Sequence, residues 1–110
     1  MVQMELKKGT TPLLILALLE AEPRHGYQLS KLIESKSRGV VRVHAASLYP
    51  LLYELEGKGW IRGAWIEKPG QRRRRYYRLT AEGKRQLDAQ RSGFAEFVRA
   101  VGQVAGVEYA

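Results

Sequence analysis

The chain has 110 residues, 45% of them apolar and 27% charged, with no cysteine and a formal net charge of +8 at neutral pH. That length supports one domain with a modest core, or a small domain plus one extended element. The missing cysteines exclude a disulfide framework and a thiolate metal site and fit a cytoplasmic protein, and the longest apolar run, Leu13–Leu19, is too short to cross a bilayer, so no membrane partner is expected.

Met1 to Gly9 is a polar lead-in that either frays or opens a helix. Thr10 or Thr11 caps the first predicted helix, with Pro12 near its first position. The segment PLLILALLEAE is apolar on nearly every side, which predicts burial from several directions and puts this helix at the centre of the domain. Pro23 ends it. His25-Gly26-Tyr27 forms a turn that opens a second helix, with Leu29, Leu32 and Ile33 inward and Gln28, Lys31 and Glu34 toward water. Ser35 to Gly39 end that helix, and Val40–Val43 reads as a short extended connector.

The third helix begins close to Ala46. Leu48, Leu51, Leu52 and Leu55 stand at i, i+3, i+4 and i+7, one helical stripe committed to a core. Pro50 fits if its missing N–H falls among the unpartnered donors of the first turn, and the Gly57-Lys58-Gly59 sequence marks the stop. The opposite face presents Ser47, Tyr49, Pro50, Tyr53 and Glu54. Beyond Gly59, Ile61 to Lys68 is a strand, Pro69-Gly70 a turn, and Arg72 to Leu79 the return strand, with Arg75, Tyr77 and Leu79 on one face and Arg74, Tyr76 and Arg78 on the other. Thr80 caps a last helix reaching about Val104, with Glu82 in its first turn. Leu87, Phe94, Phe97, Val98, Val101 and Val104 make its apolar stripe, and no element remains in the chain to cover them; a second copy of the protein is the expected cover. The fold class is mostly α with a small β-hairpin: a winged helix-turn-helix over residues 1–79, followed by a C-terminal dimerisation helix and tail over 80–110.

Between Arg62 and Arg78 seven basic residues face Glu67 alone, a net of +6 in one segment. Such a run is ordinarily a solvated face; behind a helix-turn-helix pattern it favours nucleic acid. The third helix, about 46–57, is then expected in a major groove, and the basic wing, 62–78, on the backbone or in a minor groove. Ser47 suits a base edge or a phosphate, Tyr49 and Tyr53 reach phosphate through their hydroxyls, and Ala46 or Pro50 suits a thymine methyl. Lys68, Arg72, Arg73 and Arg74 are the wing contacts; Arg75 is set apart because its face carries Tyr77 and Leu79 inward. His44 is either a phosphate contact or an ordinary loop residue, and Tyr49 and Tyr53 are alternatively half-buried packing. For His25 a local backbone bond is favoured over a role in DNA contact or pH response. The two histidines, with no cysteine and no carboxylate pair nearby, give no metal site, cofactor site or catalytic constellation, so no enzyme is expected.

From Gly9 to Leu87 the chain resembles the PadR family of bacterial transcriptional regulators. The residues that carry the resemblance are Gly9 with the leucine-rich first helix, His25-Gly26-Tyr27, Ser47-Leu48-Tyr49-Pro50 with Leu55-Glu56 and Gly59, and the run Arg75-Tyr76-Tyr77-Arg78-Leu79-Thr80-Ala81-Glu82-Gly83. The resemblance implies a dimeric winged-helix protein binding a double-stranded operator, usually as a repressor, sometimes released by a small-molecule effector; it also implies a DNA-backbone contact for Tyr49. Family members often carry glycine then threonine or serine before Leu-Tyr-Pro, where this chain has Ala46 and Ser47, and the single last helix matches the short members. Two alternatives stand beside the repressor: a winged helix that docks a protein partner, and a sensor whose dimer cavity, lined by Trp60 and Trp65, takes an aromatic effector.

Overall fold

The computed structural model describes the backbone of residues 6–108 and the side chains of residues 9–108. Its elements are α1 (Leu6–Ala21), β1 (Arg24–His25), α2 (Gly26–Lys36), α3 (Ala45–Gly57), β2 (Ile61–Ile66), β3 (Arg74–Leu79) and α4 (Ala81–Ala105). The polar lead-in lies mostly outside the described residues. Most of the chain is helical, with the winged-helix order expected from the pattern of turns and stripes.

The core forms where the stripes predict it. Leu13, Ile15, Leu16 and Leu19 of α1 meet Leu29 of α2, Leu48, Leu52 and Leu55 of α3, Ile61 of β2, Tyr77 of β3 and Leu87 of α4, all buried. Each fully buried leucine or isoleucine is worth roughly 1.5–3 kcal/mol relative to exposure, so the apolar face of α3 is anchored and its other face is free to do something else. At the junction of wing and last helix, Thr80 Oγ1 accepts from the Gly83 N–H at 3.0 Å, while the Thr80 N–H donates to the Trp60 carbonyl at 3.1 Å. A Cβ on Gly83 would lie 2.0 Å from that carbonyl oxygen, so only glycine lets α4 start against the strand.

Four expectations are corrected. The wing has a third strand: β1 pairs antiparallel with β3, Arg24 opposite Tyr77 and His25 opposite Tyr76, giving the order β1-β3-β2. Two residues are too few to show alternation, so the segment read as a turn. The first helix is already formed at Leu6, ahead of both threonines, and Pro12 sits inside it; proline deletes one intrahelical bond without stopping the turns on either side. Pro50 is the sixth residue of α3, past the unpartnered first-turn donors, and so cannot donate to the Ala46 carbonyl. Leu87, expected on the free stripe of α4, is fully buried in the core of its own chain, because α1 packs against this end of the helix.

Candidate nucleic-acid interface

With Leu48, Leu52 and Leu55 sealed inward, the helical period turns Ala46, Ser47, Pro50 and Tyr53 outward, and all four are exposed, Tyr53 to 82%. His44 occupies the N-cap of α3 but makes no side-chain capping bond, so its exposed imidazole is available to a ligand. Tyr49 is 51% exposed. Its ring lies across the start of α2, where a Cβ added to Gly26 would come within 3.1 Å of Tyr49 Cε1. It is thus neither a core tyrosine nor a free one: one ring face is held and the rest is open.

The same first turn of α2 meets the wing. Arg74, half-buried on β3, stands over the Tyr27 ring with its Cζ 5.8 Å from the centroid, and Lys31 Nζ approaches that ring at 5.5 Å. Tyr49, Gly26, Tyr27 and Arg74 therefore run without a break from the third helix, across the start of the second, to the hairpin. Cations near aromatic faces gain about 0.5–1 kcal/mol at exposed sites, which holds these long side chains in place before any ligand arrives.

At the wing itself, Lys68, Arg72 and Arg73 occupy the exposed loop between β2 and β3. Lys68 Nζ sits 4.9 Å from the Tyr76 ring and Arg73 Cζ 5.0 Å from the ring of Trp65. Arg75 turns the other way, as its strand face predicts, and Arg75 Nη2 donates to Glu56 Oε2 at 2.8 Å. Trp60 packs on the core while Trp65 is 56% exposed on the wing.

His25 caps α2. Its Nδ1 accepts from the Gln28 N–H at 3.3 Å, and the Gln28 side-chain oxygen accepts from the His25 N–H at 3.0 Å, a reciprocal capping box. Partial burial pushes the imidazole pKa below its ordinary value, and the nearby charges of Arg74 and Lys68 push it the same way. Both effects favour the neutral ring, the form in which Nδ1 can accept. The favoured sequence reading, a histidine bonding local backbone, matches this geometry.

The other grouped residues lie elsewhere. Phe94, Phe97 and Val101 of α4 are each about two-fifths exposed, Val104 is 92% exposed, and Val98 is half-buried. Beside them an open groove of about 580 Å³ lies between the start of α1, the end of α3 and the middle of α4, walled by Leu13, Leu55, Trp60, Phe94 and Phe97. Gln90 also lines it, and its Oε1 is buried with no hydrogen-bond donor among the described residues. Tyr27 and Glu56 were not singled out from the sequence as site residues: nothing local marks Tyr27 as the seat of an arginine 47 residues away. Among the described residues no cluster of His, Cys, Asp or Glu is arranged to hold a metal, and no helix is long and apolar enough to cross a membrane.

A helix with one face anchored and the other bare, a basic three-stranded wing, and an aromatic seam joining them define a winged helix-turn-helix DNA-binding protein. Residues 15–89 match the Transcriptional regulator PadR-like family, and the chain belongs to that family. Among solved structures it is similar to a transcriptional regulator from Clostridium thermocellum, with a TM-score of 0.85 and 25% identity, covering 94% of this chain and 97% of that one. A PadR family transcriptional regulator from Eggerthella lenta matches with a TM-score of 0.79 and 33% identity over 94% of this chain and 88% of that one. A PadR-like transcriptional regulator from Bacillus cereus matches with a TM-score of 0.80 and 25% identity over 96% of this chain and 100% of that one. A curated but uncharacterised protein of Lysinibacillus sphaericus is 30% identical over 87 residues, which are 79% of this chain and 80% of that protein. The chain is a DNA-binding transcriptional regulator, not an enzyme.

Proposed function

We propose that the protein is a cytoplasmic homodimeric repressor that binds a pseudo-palindromic double-stranded operator. Each α3 enters a major groove, led by Ala46, Ser47, Tyr49, Pro50 and Tyr53 with His44 at its cap, and each wing lays Lys68, Arg72, Arg73 and Arg74 on phosphates or in the adjoining minor groove. Two α4 helices join the subunits through Phe94, Phe97, Val98, Val101 and Val104, which sets the half-sites about one helical turn, roughly 34 Å, or a little more apart. Of the earlier stripe only Leu87 drops out, being used inside the chain. Residues 81–91 of α4 then belong with the winged helix, and the pairing surface begins near Phe94. The observation that carries the proposal is the continuity of the bare face of α3 with the wing arginines through Tyr49, Gly26 and Tyr27.

The test is a binding series against the protein's own promoter at rising salt. Each phosphate neutralised steepens the log–log slope by about 0.9, so Arg72→Ala with Arg74→Ala flattens it by nearly two. Wild-type affinity that does not change with ionic strength, or a slope indifferent to both arginines, sinks the wing assignment.

One observation favours a second layer. The groove beside Phe94 has aromatic walls, with Gln90 among its lining residues, a setting suited to a small planar aromatic effector. In a Trp65→Phe background Trp60 is the sole indole, and its fluorescence is quenched by such a compound if the groove binds it. Quenching unaffected by Gln90→Leu places the compound elsewhere.

A further inference from the structure

Arg75 is the one member of the 72–75 run that leaves the basic surface, and what it does instead is specific. Glu56 stands in the last turn of α3, and its Oε2 accepts from two donors of the wing: the Gly63 N–H on β2 at 3.0 Å and Arg75 Nη2 on β3 at 2.8 Å. Both side chains are about seven-tenths shielded from solvent, 31% of Arg75 and 28% of Glu56 remaining exposed. The guanidinium lies flat against Gly63: a Cβ there would be 2.6 Å from Nε and 2.8 Å from Cζ. Arg75 Cζ is also 5.8 Å from the rings of both Trp65 and Tyr77. Trp65 in turn carries Arg73 on its ring.

We propose that Glu56, Gly63 and Arg75 form a lock that fixes the wing to the recognition helix, so that base reading by α3 and phosphate contact by the wing occur in one register on the duplex. The proposal rests on the DNA-binding reading above and adds positioning residues to it; none of the three touches DNA. Exposed ion pairs contribute little. This one is shielded and charge-assisted, takes two donors on one oxygen, and is slotted over a residue that has no side chain. It joins the last turn of α3 to both strands of the hairpin, at Gly63 of β2 and Arg75 of β3, and the loop between those strands holds Lys68, Arg72 and Arg73. If the hairpin swings relative to α3, those cations move away from the phosphates that α3's position selects, and their contribution to affinity falls although no DNA contact has been removed.

The experiment is a double-mutant cycle on operator binding between the lock and a wing cation, with Glu56→Ala and Arg72→Ala, read as affinity and salt slope together. Glu56→Ala weakens binding about tenfold, the loss expected from a charge-assisted hydrogen bond. In that background Arg72→Ala changes the salt slope by less than half of the ~0.9 it costs the wild type. Glu56→Gln keeps an acceptor for the Gly63 N–H but loses the charge, and it falls between wild type and Glu56→Ala; it also carries the test if the alanine variant does not fold. Gly63→Ala displaces the guanidinium and reproduces the coupling defect with Glu56 intact. A purely structural ion pair lowers the melting temperature and leaves the Arg72 effect at full size; that additive result overturns the lock while leaving the DNA-binding reading in place. A wild type with no salt-dependent affinity for DNA overturns both.

Discussion

The two halves of α4 share one apolar stripe and have opposite fates. In residues 81–91 the apolar position, Leu87, is fully buried, Gly83 abuts the Trp60 carbonyl, and Lys84 and Arg91 both donate to Glu20 at the end of α1, at 2.6 and 2.9 Å. In residues 94–104 Phe94, Phe97, Val101 and Val104 stay exposed, from 39% to 92%, and Val98 is half-buried. α1 lies antiparallel to α4, its last turn level with Lys84 and Arg91 and its Gly9–Leu13 stretch level with Phe94 and Phe97. A stripe shows that a helix must bury one side; only the neighbouring element decides whether its own chain or another supplies the cover.

The sharpest way to separate the halves is to place the same charge in each. Leu87→Asp buries an unpaired carboxylate and empties a core site, a loss of more than about 4 kcal/mol that rivals the whole stability of a small domain. Circular dichroism on heating shows no cooperative melt for that variant. Phe94→Asp with Val101→Asp keeps the helical spectrum and the melt, because both side chains already face water. It sediments as a monomer at micromolar concentration and loses operator affinity by about a hundredfold, the advantage that linkage of two half-sites confers. A double variant that unfolds like Leu87→Asp erases the distinction, and a wild type that sediments as a monomer removes the pairing role of Phe94 to Val104.

The same contrast explains what could be read in the residues beforehand. The stripes of α1, α2 and α3 were legible because burial repeats at the helical period, and the opposite facing of Arg74 and Arg75 followed from strand alternation; Arg72 lies in the loop before β3, where alternation does not apply. Leu87 falls on the same stripe as Phe94 to Val104 yet packs inside its own chain, because periodicity carries no information about which neighbour lies opposite. Pro12 and Pro50 were placed too near helix starts: a proline removes one donor and leaves the residues on either side free to continue the helix. Strand β1 has only Arg24 and His25, and its pairing with Tyr77 and Tyr76 spans more than 50 positions. Glu56 and Arg75 are 19 positions apart, so their ion pair exists only once the wing has folded back on α3.

The smallest effect tests the clamp that fastens the first half of α4. Hydrogen bonds from Arg91 and then Lys84 hold the Glu20 carboxyl at about 2, against an ordinary 4.5, and the same bonds raise the pKa values of Arg91 and Lys84. An acid held down in the fold stabilises above its unfolded pKa and loses that contribution as protons return. The stabilisation is complete above 4.5 and fades as the pH falls toward about 2. Wild type and Glu20→Gln therefore differ in melting temperature near neutral pH and converge in acid. The groups are solvent-exposed, so added salt shrinks the difference at neutral pH as well. Among the described residues the ion pairs between α1 and α4 fall at Lys84 and Arg91, outside the Phe94–Val104 stretch, so Glu20→Gln leaves the sedimentation behaviour unchanged at neutral pH. A Glu20→Gln protein that dissociates to monomers makes the clamp part of the pairing surface and joins the two halves into one functional unit.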